Sequence, residues 1–390
     1  MILFPVLLLL AAQIQPEPNG PAYRQPQLAV GHGQVALTFG AERAIYFSSS
    51  TDRGGSFSPP VKVAAVEVLA LGRHRGPRVT ILKDAILVSA IVGEKISTAP
   101  HAHGLPADGN ITVWRSEDHG KTWSRSGIVN DVPGAAREGF HAISQDPTGC
   151  LTAVWLDLRG QGTQLYSSRS TVGGRSWSKT VLVYASPAGT ICQCCAPSLA
   201  IDPKGRAVVM WRNVLDGARD LYLASAEGKA FGPARKLGTG TWKLDACPMD
   251  GGALGFDHGR LTSVWRREGD VYRAEPGRPE QRIGTGKDIA AASTPSGLYV
   301  AWSKGEGLEI LVPHASAPVP LAAQGAFVNL AALPNGSVLA VWEANGSIVI
   351  EPVTSGAKPS AMHVGQLRYI FLDLISRNSQ IALAAARQVP

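Results

Sequence analysis

Ser116-Glu117-Asp118-His119-Gly120-Lys121-Thr122-Trp123 follows the strand-like run Asn110-Ile111-Thr112-Val113-Trp114-Arg115, and the rest of the chain repeats this arrangement with variations. The stretch is a turn with identifiable chemistry. A carboxylate at its third position accepts backbone N–H groups across a tight loop. The glycine takes a positive φ at no steric cost, and the hydroxyl and indole close the loop against a sheet.

Three further stretches follow the same kind of strand: Ser50-Thr51-Asp52-Arg53-Gly54-Gly55-Ser56-Phe57, Ser170-Thr171-Val172-Gly173-Gly174-Arg175-Ser176-Trp177, and a shortened Ser225-Ala226-Glu227-Gly228-Lys229-Ala230-Phe231. Val172 replaces the aspartate in one and a residue is missing from the other, so these two support a repeat by position rather than by chemistry. The pattern Ser-x-Asp-x-Gly-x-Thr-Trp resembles the Asp box, or BNR repeat, of sialidases and related β-propellers. The resemblance implies a structural turn built from Ser50, Asp52, Gly54 and Phe57; from Ser116, Asp118, Gly120 and Trp123; and from Ser170, Gly174 and Trp177.

A second marker recurs independently of those turns: a turn, a strand of about six residues, and an aromatic residue at its end. It runs Gly33–Phe39, Asp84–Ala90 (without the aromatic), Gly149–Trp155, Gly205–Trp211, Gly259–Trp265, Gly297–Trp302 and Gly336–Trp342. Turns such as Asp146-Pro147-Thr148-Gly149 and Asp202-Pro203-Lys204-Gly205 combine a proline that presets φ with a glycine that lets a hairpin close. The sequence therefore predicts an all-β propeller of four-stranded antiparallel blades. Seven markers favour seven blades. The sialidase resemblance implies six, and Arg368–Ile375 with Gln380–Arg387 offers an eighth unit or a closing pair.

Of the 390 residues, 45% are hydrophobic and 17% charged, enough to bury a large core in one repeat array. The apolar run Ile2–Ala12 is too short to span a bilayer and reads as a secretory signal over residues 1–15, although no Lys or Arg precedes it. A Pro-rich leader (16–26) and a single propeller domain (27–390) complete the expected organisation of a secreted or periplasmic monomer with no membrane span. The net charge of +7 suits an anionic partner. Lys and Arg are scattered among Asp and Glu, which argues against nucleic acid.

In a propeller, the loops between blades and those joining second to third strands converge on one face, where ligands bind. Sialidase resemblance implies three arginines clamping a sugar carboxylate, an acid, and a tyrosine nucleophile paired with a glutamate. For the clamp the candidates are Arg78, Arg159, Arg212, Arg219 and Arg266; for the acid Asp157, Glu138 and Asp250; for the nucleophile Tyr369. The expected function is binding or hydrolysis of an anionic glycan, exo-sialidase in type. Two alternatives are a propeller that only binds glycan or protein, and one that binds metal.

The metal alternative rests on Cys192, Cys194, Cys195 and Cys247, with His101, His103, His141 and Met249 placed by the same loops. Thiolate, imidazole and thioether suit copper or zinc, although no cofactor is required by the glycan reading. An exported protein favours disulfides instead, with Cys194 or Cys195 bonded to Cys247. Cys150 follows the turn at Gly149 and is expected towards the opposite face.

Overall fold

The computed structural model describes residues 12–99, 102 and 104–354. Every regular element among them is a β-strand. The strands form seven antiparallel sheets, each four strands deep from an innermost strand A to an outermost strand D. Blade 1 is typical, running Arg24–Gly31, Gln34–Ala41, Ala44–Ser50 and Val61–Ala65 outward. The A strands of the remaining blades end in Arg78–Ile81, His141–Gln145, Ser198–Ile201, Gly252–Asp257, Lys287–Thr294 and Ala326–Ala332. Each packs beside the next, and the last returns to the first, where Leu28 N donates to Asn329 Oδ1 at 3.0 Å. The ring closes at seven, and the segment Arg368–Arg387 lies outside the described residues.

Every repeat marker is a B strand. Phe39, Trp155, Trp211 and Trp265 stand opposite Tyr46, Tyr166, Tyr222 and Tyr272 of strand C, one such pair in each of four blades. Trp302 and Trp342 occupy the same place opposite Glu309 and Val349. These six aromatics are buried, each in a core cluster shared by two adjacent blades. Blade 2 has Ala90 there instead, and the cluster it shares with blade 1 is filled by Phe47 and Trp114.

The quoted turns join C to D. Asp118 accepts Lys121 N at 3.1 Å, Thr122 N at 2.9 Å and Thr122 Oγ1 at 2.6 Å, while Ser116 Oγ accepts Gly120 N at 2.8 Å. Those bonds, led by the Thr122 hydroxyl, hold the Asp118 carboxyl far below the usual carboxylate range. Asp52 repeats the arrangement with Ser56, and at Val172 only the Ser170 bond to Gly174 N, 2.9 Å, survives. The turns also wedge the blades together. Gly120 has φ +89°, and a Cβ there would lie 2.1 Å from Phe47 of blade 1. Gly120→Ala is expected to cost about 2–4 kcal/mol from overpacking and positive φ, read as a lowered denaturation midpoint.

Strand precedes residue 27, and residues 12–14 of the stretch expected as a secretory signal over 1–15 belong to the propeller. Ala12–Ile14 pairs with Ser347–Val353 as strand D of blade 7, so the N-terminal end and the last blade share one sheet. The outermost position of that blade needs a strand, and no later described segment supplies one. A chain starting at Pro16 loses the burial of Ile14, which is 8% exposed. It is expected to be less stable by about 1.5–3 kcal/mol, measurable by thermal unfolding beside a chain starting at Ala12.

Candidate functional site at the axis

On the face opposite the Ser-x-Asp turns, strand A of blade 2 is interrupted. Val68–Leu69 and Arg78–Ile81 both pair with strand B, and residues 70–77 between them leave the sheet at the axis. Within this excursion Gly72 and Arg75 exchange backbone hydrogen bonds of 3.0 and 3.1 Å, closing a two-residue turn on Arg73 and His74. Both tip residues have positive φ, 52° and 69°. Such a turn ordinarily takes Asn-Gly, and holding two bulky side chains there costs of order 1–2 kcal/mol each. Strain of this kind persists only where the surroundings over-determine it, and it clusters at functional sites.

The surroundings are visible. Arg78 donates to the carbonyls of His74 (2.7 Å), Gly76 (3.2 Å) and Pro77 (3.1 Å), fastening the turn from below. Burial pulls its guanidinium down to about 10. Arg75 donates Nε to Glu138 O at 2.7 Å and lies 3.9 Å over the Phe140 ring. Arg78 and the backbone carbonyl of Glu138 thus hold the turn, while the Glu138 side chain faces the neighbouring cavity.

His74 reaches across the axis from blade 2 to blades 6 and 7. Its Nε2 is 2.7 Å from Asp288 Oδ1, and its ring meets Phe327 edge to face at 5.2 Å. Asp288 and Phe327 also have positive φ, 56° and 53°, each at a bulge that opens strand A of its blade, and Gln25 (56°) does the same in blade 1. The bulges re-aim these side chains. Asp250, from the loop before blade 5, completes the group: one ligand atom from each of His74, Asp250 and Asp288 lies within 4.8 Å of the others.

The two carboxyls are driven apart. Burial pushes Asp250 above the ordinary range and the charge of Asp288 adds to this, against Arg212, His74 and Arg266. Burial acts on Asp288 too, but the His74 hydrogen bond and charge, with Lys287 and Arg266, bring it below the ordinary value. Asp250 Oδ2 is buried without a hydrogen-bond partner and has only Arg266 Nη1 at 3.6 Å. The side chain of His74 is 21% exposed, against 7% for Asp288 and 1% for Asp250, so solvent and ligand meet the imidazole first.

The remaining sequence candidates fall elsewhere. Asp157 and Arg159 pair with each other at 2.9 Å, Asp157 also accepts Trp155 Nε1, and Arg159 reaches Asp131 at 3.1 Å: a structural ion pair of blade 3. Arg212 donates to the carbonyls of Asp250 (3.1 Å), Arg219 (2.7 Å) and Arg266 (3.0 Å). Arg219 binds Leu244 O at 3.0 Å and Cys192 Sγ at 3.3 Å. Arg212 and Arg266 both stand 5.3 Å from the Trp242 ring. These arginines gather, but their N–H groups hold loops. Tyr369, His101 and His103 lie outside the described residues.

No disulfide joins the cysteines. Cys192, Cys194 and Cys195 are buried thiols with sulfurs 3.5, 3.5 and 3.9 Å apart, whereas Cys247 is exposed and apart from that trio. Hydrogen bonds from Cys194 and Cys195, then Arg219 and Arg212, pull the Cys192 thiol strongly down, and the other two are pushed up. His141 is not part of the cluster: its Nε2 meets Ser89 Oγ at 2.9 Å, and burial beside Arg78 keeps the ring well below its usual value. Met249 packs against the thiols. Cys150 is buried at the turn on the opposite face, its sulfur near Leu151 O.

A cavity of about 460 Å³ lies between the His74 turn and the thiols, lined by Arg73, Arg75, Glu138, Cys194, Cys247 and Met249. A larger one, about 1010 Å³, opens at the shortened turn between blades 3 and 4 on the opposite face, without convergent acid–base groups.

No family model matches the chain, and no curated protein matches it either. Solved structures match the fold. An ulvan lyase of polysaccharide lyase family PL25, solved with -[GlcA(1-4)Rha3S]-, has a TM-score of 0.56 at 11% identity, covering 88% of this chain and 96% of that one. The α-L-arabinanase of Penicillium chrysogenum matches at 0.51 and 12% identity over 88% and 97% of the two chains. Virginiamycin B lyase from Staphylococcus aureus matches at 0.51 and 11% identity over 87% and 98%. At such identities the likeness establishes the seven-bladed propeller class.

Proposed function

We propose that the protein binds an anionic glycan over the propeller axis and cleaves it there by proton transfer through His74. The observation that carries this reading is the His74–Asp288 contact of 2.7 Å, made across the ring by two residues held at positive φ. An imidazole fixed by a carboxylate has a defined tautomer, which leaves its second nitrogen to take or give a proton. Nδ1 of His74 has no hydrogen-bond partner among the described residues. Arg73 and Arg137 are exposed and line the cavity beside the His74 turn, and exposed Lys287 stands next to Asp288; these cations favour an anionic ligand. The similar ulvan lyase and arabinanase both act on polysaccharides, which agrees with a glycan ligand.

One exposed base beside a cation suits elimination at a uronic acid residue: the imidazole removes the proton next to the carboxylate, a double bond forms as the glycosidic C–O bond breaks, and the leaving oxygen takes a proton back from the imidazolium or from water. Hydrolysis of the sialidase type would instead need free guanidiniums and two accessible carboxyls.

The test is incubation of the purified chain with uronate-containing polysaccharides, a fluorogenic sialoside and neutral glycans, with products weighed by mass spectrometry. Unsaturated uronate products, lost in His74→Ala, are expected. Sialic acid release would replace elimination by hydrolysis. Binding without turnover would reduce the protein to a lectin, and activity on neutral glycans alone would sink the proposal.

A further inference from the structure

We propose that Cys192, Cys194 and Cys195 form a three-thiolate site for a soft monovalent cation, Cu(I), separate from the proton-transfer group at the axis. The three sulfurs make a nearly equilateral triangle with edges of 3.5, 3.5 and 3.9 Å. A cation bound by three thiolates at about 2.3 Å separates them by about 3.8–4.0 Å, so small side-chain adjustments seat the ion at the centre. All three come from one tight loop. Cys192 N is bonded to Arg212 O at 3.0 Å and Ile191 bridges Asn213, which pins the loop to strand B of blade 4.

Charge supplies the second argument. Arg75, Arg212 and Arg219 surround the trio; Glu138 and Asp250 are the carboxyls that face Arg75 and Arg212, and neither comes within ion-pair distance of them. Arg75 and Arg212 are 5% and 1% exposed. Their N–H groups are spent on carbonyls, but three clustered buried or half-buried positive charges are costly to desolvate and favour further negative charge nearby. Three thiolates and one Cu(I) carry a net charge of about −2, which offsets two of the three guanidiniums, and Arg219 Nη1 already touches Cys192 Sγ at 3.3 Å.

Donor type selects the metal. The three ligands are sulfur, Met249 and Val214 are the apolar neighbours, and neither imidazole nor carboxylate joins the group. Soft donors in this setting favour Cu(I) over harder cations, and three-coordination suits a monovalent ion better than zinc, which seeks a fourth ligand. Cys194 lines the cavity of about 460 Å³, so an ion can reach the thiols from solvent.

The experiment is anaerobic titration of the reduced full chain with Cu(I), in competition with a chromophoric Cu(I) chelator. One equivalent retained per chain is expected, with three sulfur neighbours by X-ray absorption. Cys192→Ser should abolish retention, whereas Cys150→Ser should not. Arg219→Met should weaken affinity by about 10–100-fold, the size of effect usual for residues that support metal ligands. Should the cysteine variants fail to fold, alkylation of the wild-type chain serves instead: Cu(I) should protect the trio and leave exposed Cys247 reactive. Zinc held in preference to Cu(I), protection of Cys247 as well, a disulfide within the trio in the non-reduced protein, or no retained metal would each overturn the assignment.

Discussion

Replacing His74 by alanine is expected to lower the rate of glycan cleavage by about 10²–10⁴-fold at temperatures where the variant stays folded, because a positioned general base contributes an effect of that size. The side chain is partly exposed, but it partners the buried Asp288 carboxylate, so His74→Ala also costs some stability. Asp288→Asn is expected to act through the imidazole, reducing kcat with KM little changed. Both variants are read by initial rates on the polysaccharide and by thermal unfolding. Equal loss of activity and stability in His74→Ala would mark the residue as a cross-ring staple.

The pH dependence follows from the directions of the two carboxyl shifts. Burial raises Asp288, but the His74 hydrogen bond and charge hold it below its ordinary value, so its ionised, orienting form survives into acid. The same carboxyl contributes stability that is present above its unfolded pKa and lost as pH falls through the folded one. Asp250 runs the other way. It keeps its proton above the ordinary carboxyl pKa, so ionising it as pH rises adds a second negative charge beside His74 and Asp288. The acid loss of the stability that Asp288 contributes should begin at higher pH in Arg266→Met, read by thermal unfolding against pH, since Arg266 is one of the cations that hold Asp288 down.

Arg212→Met should unfold the protein more readily by about 3–5 kcal/mol, in the range for leaving buried groups unpartnered. The guanidinium is 1% exposed and satisfies three carbonyls, those of Asp250, Arg219 and Arg266, on two successive blades. Removing it leaves three buried acceptors without donors and takes a positive charge away from Asp250. Urea unfolding measures the loss. A clamp arginine would behave differently, raising KM or lowering kcat/KM with an intact fold, so the two measurements together separate a structural role from ligand recognition.

Much of this was legible in the chain itself. Local chemistry specifies local structure, and the repeat marks survive because each blade must bury the same faces. The proline-glycine turns, the aromatic at the end of strand B and the Ser-x-Asp-x-Gly turns each report a hairpin within about ten residues, and seven of them give seven blades. Asp250 and the cysteines stood out for the same reason: they occupy the loops that enter A strands. Asp288 sat in such a loop too, in Gly286-Lys287-Asp288, and nothing in its neighbours set it apart.

Tertiary structure alone decided which of those residues meet. His74 and Asp288 are 214 positions apart in sequence and 2.7 Å apart across the ring, a juxtaposition that exists only once seven sheets close around an axis. Closure also settled the arginines. A guanidinium reads the same in sequence whether it awaits a carboxylate or is spent on backbone carbonyls, and only the loop paths of blades 2, 4 and 5 put carbonyls within reach of Arg78 and Arg212. The cysteines divide likewise: spacing brought Cys192, Cys194 and Cys195 together, and the course of the next loop left Cys247 outside. Chain-local hydrogen bonding and hydrophobic periodicity are written residue by residue, whereas the partner of a charged side chain depends on where distant segments are brought by burial of the whole core.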